Sequence, residues 1–133
     1  MAAEAGQEDR MQVLRTRVLI VDDHKIVREG LASLLNDQPD IEVIGQAGNG
    51  REAISMADRF HPDVIIMDVS MPVMNGDEAT RQIKVLMPSI RIVALSMFED
   101  GEIMQKMYQA GAERYVLKTA PSVKLIAAIH GNE

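Results

Sequence analysis

The most informative feature of this 133-residue sequence is that it contains no cysteine. Without a thiol, the chain forms no disulfide framework, zinc ribbon or iron–sulfur cluster, and it has no cysteine nucleophile. The three histidines stand singly in the sequence, so no histidine cluster competes for zinc. These absences leave oxygen atoms as the main candidates for metal ligands and nucleophiles.

Aromatic side chains, long apolar runs and positive charge are also scarce. Aromatics make up 3% of the residues and tryptophan is absent, which excludes a stacking platform for single-stranded nucleic acid or sugar. Apolar runs such as 18–21 and 64–67 are too short to cross a bilayer, and the acidic N-terminal residues do not form a signal peptide. A formal net charge of −6 disfavours direct binding to a phosphate backbone. We therefore predict a cytoplasmic domain with no membrane association.

The sequence does contain a regular alternation of short apolar strands with amphipathic helices. The strands are predicted at 17–22, 41–44, 64–68, 90–95 and 114–117. The helices are predicted at 25–36, 52–59, 77–87, 99–110 and 121–130. This pattern predicts an α/β fold, a doubly wound five-stranded parallel sheet with the flavodoxin-like order 2-1-3-4-5 and five helices. The polar residues 1–16 are predicted to form a mobile or weakly helical extension before one domain at 17–133.

Polar residues collect at the carboxyl ends of the predicted strands. The first strand ends at Asp22 and Asp23, the third at Asp68, the fourth at Ser96 and the fifth at Lys118. In an open α/β sheet these ends share the edge where ligands bind. Three neighbouring carboxylates stay ionised together only with a cation among them, and their oxygens suit Mg²⁺. A lysine and a hydroxyl opposite suit a tetrahedral anion, and a carboxylate can accept a phosphoryl group.

Each of these residues also has an ordinary structural interpretation. Asp23 could cap the first helix, Asp68 could start a turn, and Ser96 could cap the helix that follows it. Lys118 could be a solvated surface charge. Their coincidence at one edge favours the functional interpretation. For His24, we expect a position in the first helical turn with the ring pointing away, because Mg²⁺ prefers oxygen ligands.

Five motifs along the chain carry a family resemblance. They are VLIVDDH at 18–24, MDVSMPVMNG at 67–76, ALS at 94–96, GA at 111–112 and YVLK at 115–118. The sequence from about residue 17 onward resembles the response-regulator receiver domain of bacterial two-component signalling. Residues 23–35 are similar to the subfamily that carries a LuxR-type helix-turn-helix output domain.

The resemblance implies a phosphoryl-accepting site. It assigns Mg²⁺ to Asp22, Asp23, Asp68 and the backbone carbonyl of Ser70, and phosphoryl binding and switching to Ser96, Lys118 and Tyr115. Asp68 is then the phosphoacceptor for a sensor histidine kinase, and Asp68 and Lys118 carry the self-catalysed transfer. The fourth helix, fifth strand and fifth helix form the surface that changes, with homodimerisation on phosphorylation as an expected consequence. DNA binding is expected only through a C-terminal domain that this chain does not contain.

Two other classes of protein remain as alternatives. A phosphatase with an aspartate nucleophile would need a second acid two residues later to protonate the leaving group, and Ser70 occupies that position. We therefore predict that the chain is not an enzyme beyond self-catalysed transfer and slow autodephosphorylation. A phosphate-independent interaction module is the second alternative, which the intact acidic set disfavours.

Overall fold

The computed structural model describes residues 15–131, in which five strands alternate with five helices. The strands are β1 Thr16–Val21, β2 Ile41–Ala47, β3 Val64–Asp68, β4 Arg91–Ser96 and β5 Arg114–Leu117. The helices are α1 Lys25–Asn36, α2 Gly50–Phe60, α3 Gly76–Leu86, α4 Gly101–Ala110 and α5 Ser122–His130. Residues 1–14, most of the predicted N-terminal extension, lie outside the described residues. Within the described part of the chain, no helix is long and apolar enough to cross a membrane.

The five strands form one parallel sheet in the order β2-β1-β3-β4-β5, as predicted. The second strand is longer than expected, because it continues past Ile44 to Ala47. The sequence did not indicate this extension, because Gly45 and Gln46 interrupt the apolar pattern of β2, which is an outermost strand of the sheet. The added residues pair with the end of β1, and the Asp22 amide then donates to the Ala47 carbonyl at 3.1 Å. The longer strand therefore fixes the backbone where the acidic site begins.

Helices cover both faces of the sheet, which is the doubly wound arrangement. On one face, strand residues such as Ile65 and Met67 pack with apolar residues of α2, α3 and α4. On the other face, residues such as Ile20 and Ile66 pack with α1 and α5. The middle strand β3 is buried along its whole length, so it reads in the sequence as an uninterrupted apolar run.

Two apolar residues of the amphipathic helices do not face the core. Ile26 is 84% exposed and Leu86 is 63% exposed. Both lie in terminal turns, Ile26 in the first turn of α1 and Leu86 at the last residue of α3. Helical spacing identifies which side of a helix faces the core, but it does not show where the helix extends past the sheet that it covers.

Candidate functional site

The strand ends of β1 and β3 bring three carboxylates together. Val21 pairs with Met67 in the parallel register, so Asp22 and Asp68 follow at neighbouring positions of the same edge. Asp22 has no exposed surface and Asp68 is 3% exposed. One ligand atom from each of Asp22, Asp23, His24 and Asp68 lies within 4.8 Å of the others. The predicted acidic cluster is therefore present in the folded chain.

Lys118 enters this cluster from the end of β5. Its Nζ donates to Asp22 Oδ2 at 2.7 Å and lies 3.5 Å from Asp68 Oδ2. The Lys118 amide also donates to the Ser96 carbonyl at 2.7 Å, which ties the ends of β4 and β5 together. Burial alone would lower the pKa of the Lys118 ammonium, but the two carboxylates outweigh burial and raise the pKa above its ordinary value of 10.5. The interpretation of this lysine as a solvated surface charge is therefore wrong.

The Asp68 carboxyl group has a raised pKa. Burial is the main cause, and it acts together with the negative charge of Asp22 to raise the pKa of Asp68 from 3.8 to about 6. The Lys118 ammonium and the Ser70 amide, which donates to Asp68 Oδ1 at 3.3 Å, oppose the increase. The contact with Ser70 forms the turn that Asp68 was expected to start in its ordinary structural interpretation. The carboxyl group is thus buried at the carboxyl end of β3 and ionises with a pKa of about 6.

The donor set of the cluster fits a hard divalent cation. Asp23 Oδ1 is fully buried, yet no hydrogen-bond donor among the described residues satisfies it. A buried carboxylate oxygen without a partner costs free energy unless a cation is nearby. Carboxylate oxygens from Asp22, Asp23 and Asp68 offer the chemistry that Mg²⁺ takes in proteins.

His24 does not point away from the acids as expected. It occupies the N-cap position of α1, but its side chain makes no capping hydrogen bond. Its Nδ1 instead lies 3.3 Å from Asp22 Oδ1 and 3.1 Å from Asp23 Oδ1. Because α1 begins at Lys25, His24 precedes its first turn and the ring remains beside the strand end. The N-cap interpretation of Asp23 is wrong for the same reason.

Arg28 is a contributor to the site that sequence reasoning missed. Its Nη1 donates to the backbone carbonyl of Asp22 at 2.6 Å. Arg28 lies one turn after His24 on α1, so its spacing places it on the same side of the helix as the strand end. That spacing was the available signal, but basic residues at this spacing are common on exposed helix faces.

Ser96 and Tyr115 meet at a shared backbone carbonyl. Ser96 Oγ donates to the Phe98 carbonyl at 3.1 Å and accepts from the Phe98 amide at 3.2 Å. Tyr115 Oη donates to the same Phe98 carbonyl at 2.9 Å. Ser96 does not cap the following helix, because Asp100 accepts from the first amides of α4. The loop after β4 is therefore held by one residue of the site and one residue of β5.

Gly76 allows the start of α3 to approach the phosphoacceptor candidate closely. A Cβ at this position would overlap the backbone carbonyl of Asp68. The Gly76 amide donates to the Val69 carbonyl at 3.1 Å, which closes the loop after β3. Glycine is required here by the close approach, since the structure records no positive φ at this residue.

The fold and the acidic edge define a receiver-type α/β domain, and comparison with known proteins gives its family. The family described as the response regulator receiver domain matches residues 18–130, and the chain belongs to it. The predicted resemblance is therefore confirmed. This family consists of signalling proteins rather than enzymes of metabolism.

Similar proteins support the LuxR-type subfamily. The chain is 45% identical over 113 residues to the transcriptional regulatory protein LiaR of Bacillus subtilis, a match that covers 85% of this chain and 54% of LiaR. It is 42% identical, with the same coverage, to the response regulator protein VraR of Staphylococcus aureus. A two-component response regulator of the LuxR family from Aurantimonas has a similar structure, with TM-score 0.83, 32% identity and coverage of 90% of this chain and 88% of that one. The chain spans about half the length of the curated relatives that it matches.

Proposed function

We propose that this chain is a phosphorylation-controlled signalling switch in which Asp68 accepts a phosphoryl group from the phosphohistidine of a sensor histidine kinase. The observation that carries the proposal is the Asp68 carboxylate itself. It is almost fully buried at the end of β3, and Lys118 Nζ lies 3.5 Å from its Oδ2. An ionised, positioned carboxylate beside a fixed ammonium is suited to nucleophilic attack on phosphorus.

In the proposed transfer, one oxygen of Asp68 forms a P–O bond while the P–N bond of phosphohistidine breaks. The imidazole nitrogen leaves with the bonding electron pair. With a pKa of about 6, Asp68 is mostly ionised at neutral pH and needs no general base. Lys118 balances the negative charge that the phosphoryl oxygens bring into the cluster.

Asp22, Asp23, Asp68 and the Ser70 carbonyl would hold Mg²⁺, with Asp22 acting through water. When bound, Mg²⁺ neutralises oxygens of the transferring phosphoryl group. The buried Asp23 oxygen, which has no hydrogen-bond partner among the described residues, supports this assignment. Asp22 Oδ2 accepts from Lys118 and Asp22 Oδ1 accepts from the His24 amide at 2.8 Å, which fits an indirect contact of Asp22 with the cation through water.

The switch that we propose begins at the Ser96 hydroxyl. A phosphoryl group on Asp68 adds charge and strong acceptor oxygens at the strand end next to β4. If Ser96 donates to a phosphoryl oxygen, it releases the Phe98 carbonyl that it shares with Tyr115. The loop after β4 and the Tyr115 side chain can then adopt a second arrangement, and phosphorylation shifts the population toward that arrangement.

The output surface in this proposal is formed by α4, β5 and α5. Phe98, Tyr108 and Val123 expose apolar side chains on and beside these elements. Exposed apolar side chains near the switch support the docking of a second copy of the chain after phosphorylation. The relative LiaR is a transcriptional regulatory protein of about twice the matched length. We therefore propose that control of transcription is exerted through a C-terminal DNA-binding domain outside this chain.

Intact-mass measurement tests the phosphoacceptor directly. The protein is incubated with Mg²⁺ and either acetyl phosphate or phosphoramidate, whose P–N bond matches that of phosphohistidine. The variant is Asp68→Asn, and the control is Asp58→Asn, which changes an exposed carboxylate on α2. We expect one added phosphoryl group in the wild type and the control and none in Asp68→Asn. No gain in a folded wild type that binds Mg²⁺ would favour a phosphate-independent interaction module.

A further inference from the structure

His24 brings an imidazole nitrogen, which can ligate a metal, to the acidic cluster. Its backbone occupies an N-cap position, where asparagine, aspartate and serine are preferred because they accept from the first helical amides. His24 makes no such bond, and its ring lies against Asp22 and Asp23 instead. The side chain therefore acts on the site rather than on the helix.

The contacts of the ring are weak as hydrogen bonds. The distance of 3.3 Å from Nδ1 to Asp22 Oδ1 is long for such a bond. Nδ1 also lies 3.1 Å from Asp23 Oδ1, yet that buried oxygen has no hydrogen-bond partner. Asp22 Oδ1 accepts from the His24 amide at 2.8 Å, and the ring nitrogen converges on the Asp22 and Asp23 oxygens without satisfying the buried Asp23 oxygen.

The two distances from the ring nitrogen match those between ligands of one ion. Two ligand atoms at right angles, each about 2.1 Å from a metal, lie about 3.0 Å apart, and a tetrahedral pair lies about 3.4 Å apart. The two separations from Nδ1, 3.1 and 3.3 Å, fall between these values. The His24 side chain is 68% exposed, so ions reach it from solvent.

We propose that His24 is a ligand of this cation site and adds affinity for nitrogen-preferring divalent transition metals, of which Ni²⁺ is the test case, but not for Mg²⁺. The inference rests on the cation site of the proposed function. Imidazole nitrogen suits nickel, copper and zinc, whereas Mg²⁺ takes oxygen and keeps several waters. The same acidic cluster thereby discriminates between two classes of divalent ion.

Calorimetric titration of the full chain with Ni²⁺, and separately with Mg²⁺, tests the proposal. The variant His24→Asn removes the ring and keeps a residue that suits an N-cap. Removing a residue that only supports a metal ligand costs about 10–100-fold in metal affinity. Removing a ligand itself should cost no less, so we expect His24→Asn to weaken Ni²⁺ binding by at least about tenfold. We expect its Mg²⁺ affinity to stay within about twofold of the wild type, because Mg²⁺ takes its ligands from oxygen. Retained Mg²⁺ binding also shows that the variant is folded.

Two controls separate this proposal from its alternatives. His61→Asn removes a histidine at the opposite edge of the sheet, where asparagine tolerates the positive φ of 48°, and both affinities should be unchanged. Asp68→Asn should weaken the binding of both ions, which would place Ni²⁺ in the acidic cluster.

Unchanged Ni²⁺ affinity in His24→Asn, or an equal loss of affinity for Ni²⁺ and Mg²⁺, would overturn the role of His24 as a selective ligand. A wild type that binds Ni²⁺ through His24 but not Mg²⁺ would leave this inference standing and contradict the Mg²⁺ site of the proposed function.

Discussion

Replacing Asp68 with asparagine should make the metal-free protein more stable at neutral pH. In the folded chain, burial and the neighbouring Asp22 raise the pKa of Asp68 from 3.8 to about 6. The folded state therefore holds the ionised carboxylate less well than the unfolded state does. That pKa difference corresponds to about 3 kcal/mol of destabilisation well above pH 6. Asparagine has nearly the same shape, carries no charge and can still accept from the Ser70 amide.

The pH dependence follows from the same pair of pKa values. Above pH 6 both states are ionised at this position, and the full cost is present. As the pH falls from about 6 toward 3.8, the folded state takes up its proton first, so the cost declines and disappears below 3.8. The stability difference between Asp68→Asn and the wild type should shrink from about 3 kcal/mol at pH 7.5 to about 1 kcal/mol at pH 4.5. Groups that are common to both proteins cancel in this difference.

Urea unfolding followed by circular dichroism measures the effect, with a chelator present. Asp58→Asn is the matched control, because an exposed substitution should change stability by no more than about 0.5 kcal/mol. Added Mg²⁺ should stabilise the wild type, by about 2.7 kcal/mol at one hundred times its dissociation constant, and so narrow the gap. The reasoning is refuted if Asp68→Asn is no more stable than the wild type at pH 7.5, or if the gap does not shrink on acidification.

Three further substitutions test the site. Lys118→Met removes the partner of the fully buried Asp22 and should destabilise the metal-free protein by about 3–5 kcal/mol in urea unfolding, so wild-type stability would contradict the ion pair. Gly76→Ala places a methyl group against the backbone of the phosphoacceptor, and we expect a loss of about 1–3 kcal/mol and slower phosphorylation by intact mass. Gly30→Ala is its control, since that Cβ meets nothing within 4 Å and should stabilise α1 by about 0.5–1 kcal/mol. Replacing the exposed Ser70 with leucine should slow hydrolysis of the phosphorylated protein, and an unchanged rate of phosphate loss would show that Ser70 does not control access of water.

The sequence predicted the fold because its strands are short, fully apolar and separated by helices. Val64 to Asp68 is buried along its whole length, so the run of apolar letters and the acid that ends it are both visible without coordinates. The order of the strands then follows from the flavodoxin-like arrangement that this alternation predicts. Where a strand lies at the edge, as with Gly45 and Gln46 of β2, the pattern weakens and the boundary was missed.

The sequence also determined which residues share the edge of the sheet, since the carboxyl ends of parallel strands meet there. It named Asp22, Asp68 and Lys118 for that reason. Which of these atoms contact one another, and the raised pKa of Asp68, depend on burial and on distances of a few ångströms. Those quantities come from the packing of three different strands and cannot be read from spacing along the chain.

Only the tertiary structure decided the orientation of side chains whose spacing fits two environments. His24 could have lain on either side of the helix start, and its turn toward Asp23 depends on the residue at which α1 begins. The contact of Arg28 with the Asp22 carbonyl and the carbonyl of Phe98 shared by two hydroxyl groups are of the same kind. Residue type and periodicity specify which element a side chain belongs to. The direction in which it points at an element's end is fixed by the neighbouring elements, because the regular pattern no longer constrains it there.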